Sequence, residues 1–281
     1  MVEEYVCLRI AFTPESYLLL VGLLSAFPLS GVEEHEGRMT VFISKAAWEN
    51  VRDDFSCILQ QHGFRWQQLP SAEVADWYRM WVEQLQPVWI AEGVVVHPFP
   101  RPPQPGQYPT AREVLHIVPG TAFGTGHHAS TRLAARLLLQ HLRPSTVWLD
   151  AGTGSGILAI LAAHCGARRV YAVDNNPFAI EQARHNIAQN HAQDRVTLIH
   201  GDIESIAPPP VHGITANLHT ELLMRLASRF ARWVEPGGIC IVSGVLESTS
   251  AELLEVFENA QFRLETKQSE MEWVAFALRK T

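Results

Sequence analysis

Over the first 70 residues the spacing of apolar positions changes period several times. Tyr5–Ile10 alternates as a half-buried strand does, and Pro14–Phe27 presents an apolar helical face with Pro14 in its first turn and Gly31 breaking it. Val32–His35 and Met39–Ser44 read as a hairpin around Glu36–Gly37–Arg38. Ala46–His62 reads as a second helix stopped by Gly63, and Phe64–Leu69 as a last strand. The order βαββαβ predicts a ferredoxin-like α+β module over 1–70, with no chemistry of its own and recognition as its task. Ser71–Gln86 follows as an amphipathic helix, with Trp77, Trp81 and the later Trp89 spaced either to pack it onto a domain or to form a hinge or partner-binding stripe. His97–Pro109 holds six prolines and must be irregular, so 71–110 is expected to connect two domains.

From Glu113 onward, strand and helix periods alternate. Helix signals cover 128–142, 156–165, 177–190, 219–233 and 249–260. Strand signals cover 146–150, 169–173, 195–200, 212–217, 238–244, 261–267 and 271–279. Such alternation predicts an α/β domain over 111–281, a mostly parallel sheet with helices on both faces. The last two strands have no helix between them, which predicts an antiparallel end to the sheet.

Composition narrows the choices. The chain has 281 residues, 47% of them hydrophobic, enough for a substantial core. A net charge of −7 argues against an electrostatic nucleic-acid binder and suits a basic protein partner better. Cys7, Cys57, Cys165 and Cys240 lie far apart with no Cys-x-x-Cys pair, as free thiols in a reducing compartment do. The longest apolar run, Leu18–Leu24, falls far short of the ~18–20 residues that span a bilayer. Glu3, Glu4 and Glu15 stand where a signal peptide would be basic, so a soluble cytoplasmic protein is expected.

One stretch carries candidate chemistry. Val147–Ile160 runs from an apolar strand through Asp150 and the glycines Gly152, Gly154 and Gly156 into an apolar helix. Glycines there let the backbone turn sharply and lie close to a ligand. A second strand, Val170–Asp174, ends in an acid placed to accept hydrogen bonds from both ribose hydroxyls of a nucleoside ligand. A dinucleotide dehydrogenase also uses a glycine-rich first turn. Here the spacing is Gly-x-Gly-x-Gly, which suits a cofactor with no pyrophosphate to seat. Glu235–Pro236–Gly237–Gly238 precedes a late strand, and the terminal strand pair would reverse the sheet's edge. Together these features resemble class I S-adenosylmethionine-dependent methyltransferases, with their Rossmann-like sheet.

Three segments narrow the resemblance: Pro119–Thr131, Leu149–Ile160 and Ala216–Leu222. They are similar to the PrmA family, which methylates ribosomal protein L11. The likeness is close over about 113–281 and includes Asp76–Trp77 to Pro87, while the first 70 residues match by architecture. Where the family commonly has two threonines, this chain has Ser130–Thr131. The resemblance implies that Thr131, Gly152, Asp174 and Asn217 contact S-adenosylmethionine, with Gly154 in the same turn. It also implies that several lysines and the N-terminal amine of L11 are trimethylated.

Other residues are read directly. Asp202 ends the third strand, and either accepts the adenine amino proton or forms an ordinary Gly-Asp turn. Phe123, flanked by glycines, either covers the cofactor as a mobile lid or anchors its loop. His127 and His128, with no third ligand at spacing, make a poor metal site, and no Lys follows Gly126 as a P-loop requires. Asn217, ending the fourth strand, offers a carbonyl to orient an acceptor amine and is the candidate catalytic residue. Asn217–Leu218, in place of Asn-Pro-Pro-aromatic, argues against amide or nucleobase acceptors. The alternatives are a related methyltransferase with another protein or small-molecule acceptor, a dehydrogenase, and a non-catalytic adaptor.

Overall fold

The computed structural model describes residues 5–13, 16–24, 26–35, 37–70, 86–119 and 122–281. Pro14, Glu36, Trp77 and Trp81, with the expected helix from Ser71, lie outside them. The chain forms two compact units, Met1–Leu85 and Gln86–Thr281.

In the first unit the elements run β1 (Tyr5–Ala11), α1 (Tyr17–Leu24), β2 (Leu29–His35), β3 (Arg38–Ser44), α2 (Lys45–Gln61) and β4 (Trp66–Gln68). The antiparallel sheet has the order β2-β3-β1-β4, that of a ferredoxin-like module. Ser44 caps α2 by accepting the Ala47 N–H at 3.3 Å. Trp48, Phe55 and Leu59 on α2 then bury against Leu8, Ile10, Val41 and Ile43. Gly31 does not end the first helix. That helix stops at Leu24, ahead of Pro28, whose ring disfavours helix in the residue before it. Gly31 lies inside β2, opposite Phe42 at a register shift.

The second unit begins with a small sheet that the sequence pattern did not indicate: β5 (Val88–Ala91), β6 (Val94–His97) and β7 (Glu113–His116). β5 and β6 form a hairpin, and β6 pairs in parallel with β7 across the Pro-rich loop. Trp89 therefore sits on a strand, not a helix, and is exposed.

The main sheet holds seven strands: β8 (Val147–Ala151), β9 (Arg169–Asp174), β10 (Val196–His200), β11 (Val211–Asn217), β12 (Val234–Leu246), β13 (Phe262–Glu270) and β14 (Trp273–Lys280). Their order is β10-β9-β8-β11-β12-β14-β13, with β14 antiparallel to both neighbours and the rest parallel. Helices α3 (Ala129–His141), α4 (Ile157–His164) and α5 (Pro177–Gln189) cover one face, and α6 (Thr220–Trp233) and α7 (Ser250–Asn259) the other. β8 and nearly all of α4 are buried, as their unbroken apolar runs require. β8 pairs with β9 on one side and β11 on the other, so the chain leaves this centre in opposite directions. In open α/β sheets, ligands bind in the crevice at the carboxyl end of such a switch point. Among the described residues, no helix is long and apolar enough to cross a membrane.

Candidate functional site

The loop after β8 is tied to the end of β9. The N–H groups of Gly152 and Thr153 both donate to the Val173 carbonyl at 2.9 Å. Asp174 completes the attachment: Oδ2 accepts the Gly154 N–H and Oδ1 the Asn176 N–H, each at 2.9 Å. A carboxylate offers about four acceptor positions, so this half-buried group keeps capacity for a ligand's hydroxyls.

Gly152 and Gly154 both have left-handed φ, +72° and +53°. A Cβ on Gly152 would lie 2.4 Å from Leu218 Cδ2, and one on Gly154 2.4 Å from the Phe123 carbonyl oxygen. The sequence argued that these glycines admit a ligand; the structure adds that they also admit two neighbouring segments. Ser155 locks one of them in place: its N–H donates to Phe123 O at 2.9 Å, and its hydroxyl to Gly124 O at 2.7 Å. The Phe123 backbone is thus held on the turn while its ring is 55% exposed, 5.2 Å from the His128 ring.

Asp150 lies beneath the turn, 1% exposed. Its carboxyl accepts the Thr153 hydroxyl at 2.6 Å and the Thr215 hydroxyl at 2.7 Å. Burial pushes its pKa up to about 6, against the pull of those two hydroxyls. Sequence reasoning missed Thr153 and Thr215, although Thr215 stands two residues before Asn217, on the same face of β11.

Across the crevice, Asn217 Nδ2 donates to Thr131 Oγ1 at 3.3 Å, and Thr131 is wholly buried in the first turn of α3. His128 caps that helix by accepting the Ser130 N–H, and Ser243 Oγ donates to the Ser130 carbonyl at 2.8 Å. His128 therefore serves the helix terminus, and His127 Nδ1 lies 3.2 Å from Thr125 Oγ1. Gly244 leaves room beside Asn217, since a Cβ there would stand 3.1 Å from Oδ1.

Thr131, Gly152, Gly154, Asp174 and Asn217 therefore gather at the carboxyl ends of β8, β9 and β11, with Leu218 seated over Gly152. Asp202 is exposed and its carboxyl is engaged locally, accepting the Glu204 N–H at 2.9 Å and the Ser205 hydroxyl at 3.4 Å. Its loop still lies beside the site, because the Gly201 N–H donates to the Asp174 carbonyl at 2.9 Å.

Comparison with known proteins identifies relatives of this chain. The family model described as ribosomal protein L11 methyltransferase (PrmA) matches residues 34–281. A ribosomal protein L11 methyltransferase of Thermus thermophilus is 33% identical over 255 residues, covering 88% of this chain and 89% of the relative. One of Gloeobacter violaceus is 36% identical over 203 residues, covering 72% of this chain but only 62% of the relative. Among solved structures, the ribosomal protein L11 methylase of Lactobacillus delbrueckii subsp. bulgaricus aligns with a TM-score of 0.62 at 26% identity, covering 70% of this chain and 100% of that one. By the match of the family model over residues 34–281 and by its identity to these relatives, this chain belongs to the ribosomal protein L11 methyltransferase (PrmA) family.

Proposed function

We propose that this protein transfers methyl groups from S-adenosylmethionine to lysine side-chain and N-terminal amines of ribosomal protein L11. One observation carries the reading: Asp174 grips the Gly154 amide yet keeps acceptor positions open beside a turn with no side chains at Gly152 and Gly154. That combination fits an adenosyl group with two ribose hydroxyls. Thr131, the glycine turn and Asn217 would complete the binding set, while Phe123 and Asp202 stand at its rim.

When bound, the cofactor supplies a methyl group on a positively charged sulfur, so the leaving group is already activated. The chain's own residues then have two tasks, alignment and exclusion of water. An acceptor amine must be neutral to attack, and a low-dielectric mouth lowers its pKa. Asn217 gives its NH2 to Thr131, which leaves Oδ1 to hold an amine hydrogen and aim the nitrogen lone pair. The ferredoxin-like unit, whose described residues bring no catalytic constellation, would present L11 to the second unit. The reaction would take place in the cytoplasm, with several amines trimethylated.

Label transfer from tritiated S-adenosylmethionine to a mixture of ribosomal proteins tests the reading. Label on L11 is expected. Label on a different protein points to a related methyltransferase, and cofactor binding without any transfer to an adaptor.

A further inference from the structure

Helix α5 and its C-terminal cap carry three amides four residues apart on one side: Gln182 and Asn186 in the helix and Asn190 at the cap. None was singled out by sequence, and all three bond to backbone outside the helix. Gln182 Oε1 accepts the Ala122 N–H at 2.9 Å, and its Nε2 donates to the Val118 carbonyl at 3.1 Å. Asn186 Oδ1 accepts the Val118 N–H at 3.2 Å, and its Nδ2 donates to the Ser155 carbonyl at 2.9 Å. Asn190 Oδ1 accepts the His116 N–H at 2.8 Å, and its Nδ2 donates to the His116 carbonyl at 2.7 Å. Side-chain amides thus partner the backbone at His116, Val118 and Ala122, as a neighbouring strand would. Asn186 is 0% exposed and Asn190 7%, so neither could lose its partners cheaply.

The ladder leads to the site. Ala122 immediately precedes Phe123, and Ser155 belongs to the glycine turn. Asn186 holds the approach to the loop at Val118 and the turn at Ser155 with one amide, while Ser155 holds Phe123 and Gly124 in return. A closed circuit of hydrogen bonds therefore joins α5, the Phe123 loop and the turn. We propose that Gln182 and Asn186 are positioning residues for methyl transfer, fixing the Phe123 loop against the glycine turn so that the cofactor meets a preformed site. This inference rests on the reading given under Proposed function.

Gln182 gives the cleaner test, because it is half-exposed and grips the loop directly. Gln182→Met keeps the length of the side chain and removes both hydrogen bonds. The experiment measures amide exchange across Ala122–Phe123, the calorimetric Kd for S-adenosylhomocysteine, and kcat and KM for both substrates. Expected are faster exchange, a cofactor Kd and KM raised about tenfold, an L11 KM little changed, and a melting temperature near that of the wild type. Gln182→Glu keeps the acceptor for Ala122 and should recover part of the lost affinity. Faster exchange with an unaltered cofactor Kd and KM would overturn the inference, as would unaltered exchange in Gln182→Met. Wild-type protein that binds no S-adenosylhomocysteine would instead overturn the functional reading beneath it.

Discussion

Asn217 and Thr131, 86 residues apart, meet through an amide-to-hydroxyl hydrogen bond of 3.3 Å. The contact fixes which way the amide faces: its NH2 toward buried Thr131, its carbonyl toward the space left by Gly244. Asn217→Ala should therefore lower kcat about 10- to 100-fold at saturating cofactor, the loss of one aligned hydrogen bond in a desolvated site. Thr131→Val should lower it less, by freeing the amide to rotate. Steady-state methylation of L11 by each variant checks both, and near-normal turnover by Asn217→Ala would remove Asn217 from the mechanism.

The glycine turn offers a stability test. Gly154→Ala combines a left-handed φ of +53° with a Cβ 2.4 Å from a backbone oxygen of the Phe123 loop. A loss of about 2–3 kcal/mol is expected, together with weakened cofactor binding. Gly237→Ala has a similar φ of +75° but open space around its Cβ, and should cost only about 1 kcal/mol. Urea denaturation of both variants measures the difference.

Asp150 should impose a pH dependence on stability. Its folded carboxyl keeps its proton up to about pH 6, whereas the ordinary value is 3.8. Between those values the folded chain binds more protons than the unfolded one, so this group makes stability fall as pH rises. Asp150→Asn removes the penalty: one of the Thr153 and Thr215 hydroxyls can turn to accept from the new NH2 while the other still donates to the remaining carbonyl oxygen. The variant should gain about 2–3 kcal/mol at pH 7.5 and nothing by pH 4.

Two buried histidines act in the opposite direction. His97 Nδ1 meets the Tyr108 hydroxyl and its Nε2 the Arg101 carbonyl, each at 2.7 Å, while His116 Nε2 meets the Phe99 carbonyl at 2.7 Å. Burial lowers both pKa values, and for His116 the neighbouring His97 and His185 add to the effect. The folded state then resists protons that the unfolded state accepts, so stability should fall as pH drops below 6.5. Thermal melts of Asp150→Asn between pH 7.5 and 5 should expose this slope without the contribution of Asp150.

Much of this architecture was legible because each signal was local. An Asn followed by Pro is a local helix-start signal, and at Asn176–Pro177 the Asn176 side chain accepts the Phe178 N–H at 2.9 Å to cap α5. The triple-glycine turn and the acid ending β9 were equally plain, and they meet at Gly154 and Asp174. What escaped depends on partners distant in sequence. β5 and β6 are four residues each, and β6 completes its pairing only with β7, across a Pro-rich loop. Trp89 fitted a helical spacing because period alone cannot separate so short a strand from a helix's end. Gln182 and Asn186 look like ordinary polar positions of an amphipathic helix, and only the fold reveals what they hold.

In the proposed function, the Asp174 carboxylate and the glycine turn grip an adenosyl cofactor. The most direct test of that grip is calorimetric titration of wild type and Asp174→Ala with S-adenosylmethionine and S-adenosylhomocysteine. Both compounds should bind the wild type, and the variant should lose about 1–3 kcal/mol, roughly 10- to 100-fold in Kd. Absence of binding to the wild type, or equal affinity in the variant, would contradict the proposal.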